Sequence, residues 1–176
     1  MKMARMIWAG LVLIVLAIAV CAQGPWKRHD AIDSSYTVEL PPGEPTRGAR
    51  RLEDDNGNII MLRSLAMTSG EMRFIVSHYD IPDGVSFSFS RTRDGIVNKL
   101  KGKIVSESSD KIAGMQSRSF RVHAKTAEGH EIAVSARLLF NGSRVYIIQA
   151  IFPRSLENTT AEGNARSFFN SFTIRK

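Results

Sequence analysis

The chain has 176 residues, 43% of them hydrophobic, with 24 Lys and Arg against 17 Asp and Glu for a formal charge of +7, and one cysteine. That length buries one substantial core and is short for two, and a single cysteine excludes a disulfide scaffold and any paired-cysteine metal or redox centre. The basic balance draws anionic partners of any kind, but no block of five or six like charges marks a nucleic-acid-binding tail.

Lys2 and Arg5 precede an uncharged apolar run from Met6 to Val20. Such a segment is an export signal or N-terminal membrane anchor, assigned to residues 1–22. It falls short of the ~20 residues a helix needs to cross the hydrocarbon core, which favours a cleaved signal; Val20 and Ala22 permit a cut before Gln23, and Ala17 and Ala19 an earlier one. Cys21 stands just after the run, where a bacterial lipoprotein signal places its lipidated cysteine. Ile18-Ala19 fits that pattern and Val20 departs from it, so Cys21 is a lipidation candidate or one more apolar residue of the signal. The domain is expected in the periplasm, or tethered to the outer face of the bacterial inner membrane. An exported protein seldom meets nucleic acid, which leaves a protein partner, or an anionic or apolar envelope ligand, as the expected counterpart.

Gly24 to Ser35 shows little periodicity and reads as a linker (23–35) ahead of one domain over 36–176. Trp26 either lies at a membrane interface or folds back on the domain. Tyr36, Val38 and Leu40 alternate with polar residues in a first strand, expected at an edge, which Pro41-Pro42-Gly43 ends because proline cannot donate to a ladder. A strand over Thr46 to Glu53 turns at Asp55-Asn56-Gly57-Asn58 into a more continuously apolar one, Ile59 to Met67, expected to be central and covered on both faces. Ser69-Gly70 then leads into Met72 to Asp80, where Met72, Phe74, Val76 and His78 share one face and Arg73, Ile75, Ser77 and Tyr79 the other.

The period changes to that of a helix from about Ser86 to Lys101, with Phe89, Ile96, Val97 and Leu100 on one face. Gly102 is expected to stop it at positive φ; Gly95 inside it either permits close packing or marks the true start. Lys103 to Ser108 resumes as a strand, and Ser117 to Phe152 alternates as a three-strand meander with turns at Glu128-Gly129 and Asn141-Gly142. Thr159 and Glu162 stand at capping-box spacing before an apolar stripe of Ala161, Ala165, Phe168, Phe169 and Phe172, and Phe172-Thr173-Ile174 ends the chain as a strand. The two N-glycosylation patterns, Asn141-Gly142-Ser143 and Asn158-Thr159-Thr160, read as a hairpin turn and a helix cap.

The pattern specifies an α+β fold: a central antiparallel β-sheet with helices packed on its faces. Tyr36-Thr37-Val38-Glu39-Leu40-Pro41, Arg93-Asp94-Gly95-Ile96-Val97 through Lys101-Gly102-Lys103-Ile104, Ala136-Arg137-Leu138-Leu139-Phe140 with Arg144-Val145-Tyr146, and Phe168-Phe169-Asn170-Ser171-Phe172 resemble small exported bacterial proteins of the PsbP-like superfamily. The resemblance covers roughly Tyr36 to Ile174 and rests on fold motifs. It implies an αβα sandwich and a non-enzymatic role in binding or assembly, with the ligand unspecified. Neither the metal-binding carboxylates and histidines of the photosystem member nor the Ran-binding surface of the nuclear member is identifiable here.

Chemistry-bearing motifs are sparse. No G-x-S-x-G, H-E-x-x-H, P-loop or G-x-G-x-x-G occurs, and no cofactor is implied. His78 and Asp80, at i and i+2 on one strand face, form the best pair for a metal and the sole basis for a metal-dependent enzyme; a hydrogen-bonded pair at a strand end is the alternative. Of the other histidines, His29 falls in the linker and His123 and His130 flank a hairpin. For binding, Tyr79, Arg121, Arg137, Arg144 and Tyr146 lie on strands that border a helix-covered surface, where a groove could accept an apolar or anionic ligand. The leading expectation is an exported, non-catalytic binding or accessory domain; the alternative is a lipid or hydrophobic-ligand carrier with an apolar cavity between helix and sheet.

Overall fold

The computed structural model describes residues 24–53, 57 and 59–175. The export segment and Cys21 therefore lie outside the described residues, as does most of the turn expected at 55–58. Among the described residues no helix is long and apolar enough to cross a membrane.

The meander is the centre of the fold. β7 (Met115–Lys125), β8 (Glu131–Phe140) and β9 (Arg144–Pro153) pair antiparallel in register, with Phe120 opposite Ala136 and Ala136 opposite Gln149. The second turn works through Asn141, whose Oδ1 accepts the N–H groups of Ser143 and Arg144, while Gly142 takes φ 103°. β3 (Thr46–Glu53), β4 (Ile59–Ser69) and β5 (Met72–Asp80) extend the sheet on one side and β6 (Lys103–Ile112) on the other, in the order β3-β4-β5-β9-β8-β7-β6.

Strand alternation sends the apolar residues of β7 and β8 to both faces, and each face has its own cover. On one, Phe120, Val122, Val134, Ala136 and Leu138 meet Phe89, Ile96, Val97 and Leu100 of α1 (Phe89–Leu100). On the other, Phe74, Val76, Leu139, Tyr146, Ile148 and Phe152 meet Ala161, Ala165 and Phe168 of α2 (Thr160–Ser171). This second core is the larger, and each large apolar side chain fully buried in it contributes roughly 1.5–3 kcal/mol. Helix, sheet, helix is the expected sandwich.

The chain differs from the sequence-based expectation in a second, small sheet. β1 (Lys27–Asp30), β2 (Tyr36–Leu40) and β10 (Thr173–Ile174) pair antiparallel in the order β1-β2-β10 and lie beside α2 over the larger core. Two expectations are corrected by it. Residues 27–30 are a strand within the span read as a linker, and β2 is the middle strand of its sheet, not an edge. Trp26 folds back, its ring 5.3 Å from that of Phe74 in an edge contact. β1 has no apolar alternation because its partner strand, not its side chains, holds it in place. β4 is also less covered than its apolar run suggests: its ladder with β5 starts at Arg63, and Ile59 and Met61 are exposed on the part paired with β3 alone.

α1 starts at an N-cap, Ser88, whose Oγ accepts the Arg91 N–H at 3.3 Å. Its left-handed stop is Lys101 (φ 49°), not Gly102. Gly95 serves neither expected purpose, since the helix begins six residues earlier and a Cβ there would meet no atom within 4 Å. Glycine costs about 1 kcal/mol against alanine inside a helix, so Gly95→Ala is expected to stabilise the protein by about that amount in denaturant titration; a loss would show a contact that the open face lacks.

Candidate functional site

The residues singled out in the sequence separate into three places. Tyr79 lies on the α1 face, lining with Ile60, Ile81, Pro82 and Val85 a cavity of about 150 Å³. Burial pushes its phenol up, against a hydrogen bond to Thr92. The remaining residues face α2, in two clusters set apart along the sheet.

The first cluster ties the N-terminal loop to the large sheet. Arg144, at the start of β9, faces Asp80 across the β5–β9 ladder and holds it with two bonds, Nε to Oδ1 at 2.5 Å and Nη2 to Oδ2 at 2.9 Å. Its Nη1 reaches Asp33 Oδ2 at 2.8 Å. His78, 1% exposed, stands beneath with Nε2 3.2 Å from the same Asp33 oxygen but outside hydrogen-bond alignment. Tyr36 and Tyr146 close the cluster, their rings 5.5 Å and 6.2 Å from the His78 ring. Asp80 thus turns to Arg144, and the carboxylate beside His78 is Asp33, from the loop read as linker. Among the described residues no group of three His, Cys, Asp or Glu is placed to hold a metal.

The electrostatics of this cluster give it a pH dependence. Burial pushes the His78 imidazole below its ordinary value, more than the Asp33 carboxylate raises it, and Arg144 and Arg63 push the same way as burial. Burial raises the Asp33 carboxyl, but the Ser35 hydroxyl and N–H, with the charges of His78 and Arg144, outweigh it and bring it to about 2. In both cases the unfolded chain binds more protons than the folded one within the window between the two values, so stability rises with pH there. The His78 contribution is present above about pH 6.5, the unfolded histidine value, and is lost as pH falls below it; the Asp33 contribution is lost between about pH 4 and 2. His29, also lowered mainly by burial, adds the same sign in the upper window. His78→Gln is expected to flatten the fall in unfolding free energy between pH 7.5 and 5 measured in urea. An unchanged slope would mean that His78 is not held neutral.

The second cluster is a cleft of about 250 Å³ between α2 and strands β6 to β8. Strand register builds its floor in two rows. Ser108, Ser119 and Arg137 lie opposite one another across β6, β7 and β8, and Ser106, Arg121 and Ser135 form the next row. Phe169 of α2 is the wall, its ring 5.1 Å from the Arg137 guanidinium carbon. Arg121 is held by α2 and the turn before it, with Nη1 2.6 Å from Glu162 Oε1 and 3.6 Å from Glu157 Oε1; His123 Nε2 also meets Glu157 Oε1, at 2.8 Å. Glu162 therefore spends its carboxylate on Arg121, while the helix cap is made by Thr159, whose Oγ1 accepts the Ala161 N–H at 3.3 Å.

Arg137 is different. It is partly buried, donates from Nη1 to the Phe169 carbonyl at 3.2 Å and from Nε to Ser119 Oγ at 3.4 Å, and forms no ion pair among the described residues. Burial lowers its pKa, with the Asp110 charge opposing; a guanidinium stays charged regardless. Four serine hydroxyls, each able to donate or accept, line the cleft with this cation, which has no counter-ion among the described residues; Ser119 meets Arg137, and Ser135 Oγ meets Arg121 Nε at 3.3 Å. The arrangement suits a carboxylate or phosphate, which arginine receives bidentately. On the opposite face the α1 side chains pack against Phe120, Val122 and Leu138, and the cavity beside Tyr79 measures about 150 Å³.

Sequence reading found Arg121 and Arg137 but not Ser106, Ser108, Ser119, Ser135, Glu157, Glu162 or Phe169 as their surroundings. A signal was available in Ser119-x-Arg121-x-His123 on β7 and Ser135-x-Arg137 on β8, polar residues alternating where central strands ordinarily carry apolar ones on both faces.

Neither a family model nor a curated protein matches the chain. Among solved structures it is similar to the cyanobacterial PsbP of Synechocystis, with a TM-score of 0.55 and 8% identity over 85% of this chain and 92% of that one. A Pseudomonas aeruginosa protein of unknown function described as a putative regulator matches with TM-score 0.49 and 10% identity, over 87% of this chain and 99% of that one. A Bacteroides thetaiotaomicron protein matches with TM-score 0.48 and 13% identity, over 85% of this chain and 48% of that one. Together with the seven-stranded antiparallel sheet and its two helical layers, the likeness to the cyanobacterial protein shows that the chain has the PsbP-like fold.

Proposed function

We propose that the chain is an exported, non-catalytic binding or accessory domain that works at the outer face of a membrane and takes an anionic group, carboxylate or phosphate, into the Arg121–Arg137 cleft. The observation that carries this reading is Arg137, a partly buried cation with no carboxylate in ion-pair reach among the described residues. Removing a charge from water without a partner costs several kcal/mol in effect, and an incoming anion offsets that cost. Support for the membrane face comes from the N-terminal apolar run. If it ends at Ala22, four residues precede β1, a reach of about 15 Å at ~3.5 Å per residue, so a chain that keeps its anchor or a lipid at Cys21 holds the domain against the bilayer.

The test is calorimetric titration of the purified protein with inorganic phosphate and with succinate. Wild type is expected to bind at least one of them, and Arg137→Gln to weaken that binding tenfold or more, the ~1.5–3 kcal/mol of a hydrogen bond to a charged group. Equal binding by both proteins sinks the cleft reading. Recovery of the full chain from the cytosol after fractionation removes the export part.

A further inference from the structure

Among the described residues the large sheet has two free edges, β3 and β6, and the β6 edge borders the cleft. The β6–β7 hairpin turns through Ala113 and Gly114 at φ 51° and 82°, a two-residue type I′ turn. Such a turn makes Ile112 and Met115 the closing hydrogen-bonded pair, and antiparallel alternation then fixes the rest of the ladder. Ser106, Ser108 and Asp110 turn their backbone groups inward to β7; Glu107, Ser109 and Lys111 turn theirs outward. Lys111 agrees with this, since its N–H donates to Asp110 Oδ1 at 2.7 Å.

Edges that must not pair are blunted by bulges and charges, and β6 is blunted at both ends. The register breaks between Ile104 and Ser106, leaving Val105 as an extra residue, and at the far end Asp110 caps the Lys111 N–H. Between the two guards the outward groups of Glu107 and Ser109 stay open. That window coincides with the mouth of the cleft, whose outer wall is Ser106 and Ser108. The carboxylate between the guards, Glu107, points to the other face and is held by Arg93 at 2.7 Å and Arg118 at 3.4 Å, while Asp110, on the cleft face beyond Ser108, turns its Oδ1 to the Lys111 N–H.

We infer that this window accepts a short extended segment of a partner protein as an added strand, which lays an acidic side chain across Ser106 and Ser108 toward Arg121 and Arg137. The inference rests on the anion reading of the cleft and adds the form in which the anion arrives. An added strand lies about 4.8 Å outside β6 and turns every second side chain to the cleft face. Backbone pairing then supplies affinity, and the arginines select the acid. Serines are short enough to leave that path open.

The probe is a blocked Thr-Val-Glu-Val-Thr peptide, titrated beside inorganic phosphate into the full chain. Expected is slowed amide exchange at Glu107 and Ser109, with binding weakened tenfold or more when the peptide amides facing β6 are N-methylated or its Glu is replaced by Lys. Ser109→Pro removes an outward N–H at a position where an edge strand tolerates proline. It is expected to weaken the peptide tenfold or more and leave phosphate unchanged, with Ser109→Ala as the folded control that keeps the N–H. Equal binding of the methylated peptide, or no effect of Ser109→Pro, overturns strand addition and leaves the anion cleft standing. If neither phosphate nor peptide binds wild type, both fall.

Discussion

Phe168→Ala is expected to cost about 3–5 kcal/mol of unfolding free energy, the range for a large aromatic removed from a core that cannot collapse. Phe168 is 0% exposed and sits where α2 meets the sheet. Its ring stands edge-on to Phe74 with centroids 5.1 Å apart, and its neighbours on the helix face, Ala161 and Ala165, are small enough to bring the helix close. The floor beneath is β5 and β9, held in ladders on both sides, so the vacated volume stays open. The same turn of helix carries a second tie. Ser171 Oγ donates to the Phe168 carbonyl at 2.8 Å and accepts the Glu39 N–H at 2.9 Å, joining α2 to β2. The small sheet therefore loosens with the helix. Urea unfolding followed by circular dichroism measures the loss. Phe169→Ala, on the cleft side of the same helix, is the comparison and is expected to lose less than half as much. Equal losses would mean that the apolar stripe is rotated from the position described.

That stripe shows what kind of information a sequence holds. Period-two alternation in β7, β8 and β9, and the 3.6 period of α1 and α2, record burial, and burial is decided residue by residue; the meander, both helices and the sandwich were legible for that reason. β1 was not, because Lys27–Asp30 is held by pairing with β2, and pairing leaves no mark on side chains that face water. The division into two sheets was hidden for the same reason, since Tyr36, Val38 and Leu40 alternate identically in a middle or an edge strand. At the cleft, Arg121 and Arg137 were visible as basic residues on strands, but their difference was not. It arises from Glu162 at the start of α2 and Glu157 in the turn before it, which reach Arg121 and not Arg137, a fact of where the helix and its leading turn are placed. His78 and Asp80 were paired by spacing; the loop carrying Asp33 and the start of β9 carrying Arg144 each claimed one of them.

Gly102→Ala is expected to be about as costly as an overpacked core substitution becomes, about 3 kcal/mol, although glycine here follows a helix whose left-handed residue is its neighbour Lys101. Its φ is not positive, so the requirement is one of space. The turn from α1 into β6 presses on β7: a Cβ at Gly102 would overlap Val122 Cγ1 and stand 2.9 Å from the His123 carbonyl oxygen and 3.2 Å from Ala124 Cβ. None of these can yield cheaply. Val122 is fully buried, and the His123 contact is a backbone oxygen on a strand paired on both sides. The strand or the helix end must shift, and with it the Val97 carbonyl that accepts the Gly102 N–H at 3.1 Å. Because the largest overlap is with one methyl group, Val122→Ala is expected to relieve part of the damage. In a double-mutant cycle the pair should lose at least ~1 kcal/mol less than the sum of the single changes, the coupling of residues in direct contact. Strict additivity, or a Gly102→Ala loss no larger than the ~1 kcal/mol of ordinary substitutions, would show that α1 enters the sheet with room to spare and that its close approach to β7 does not hold.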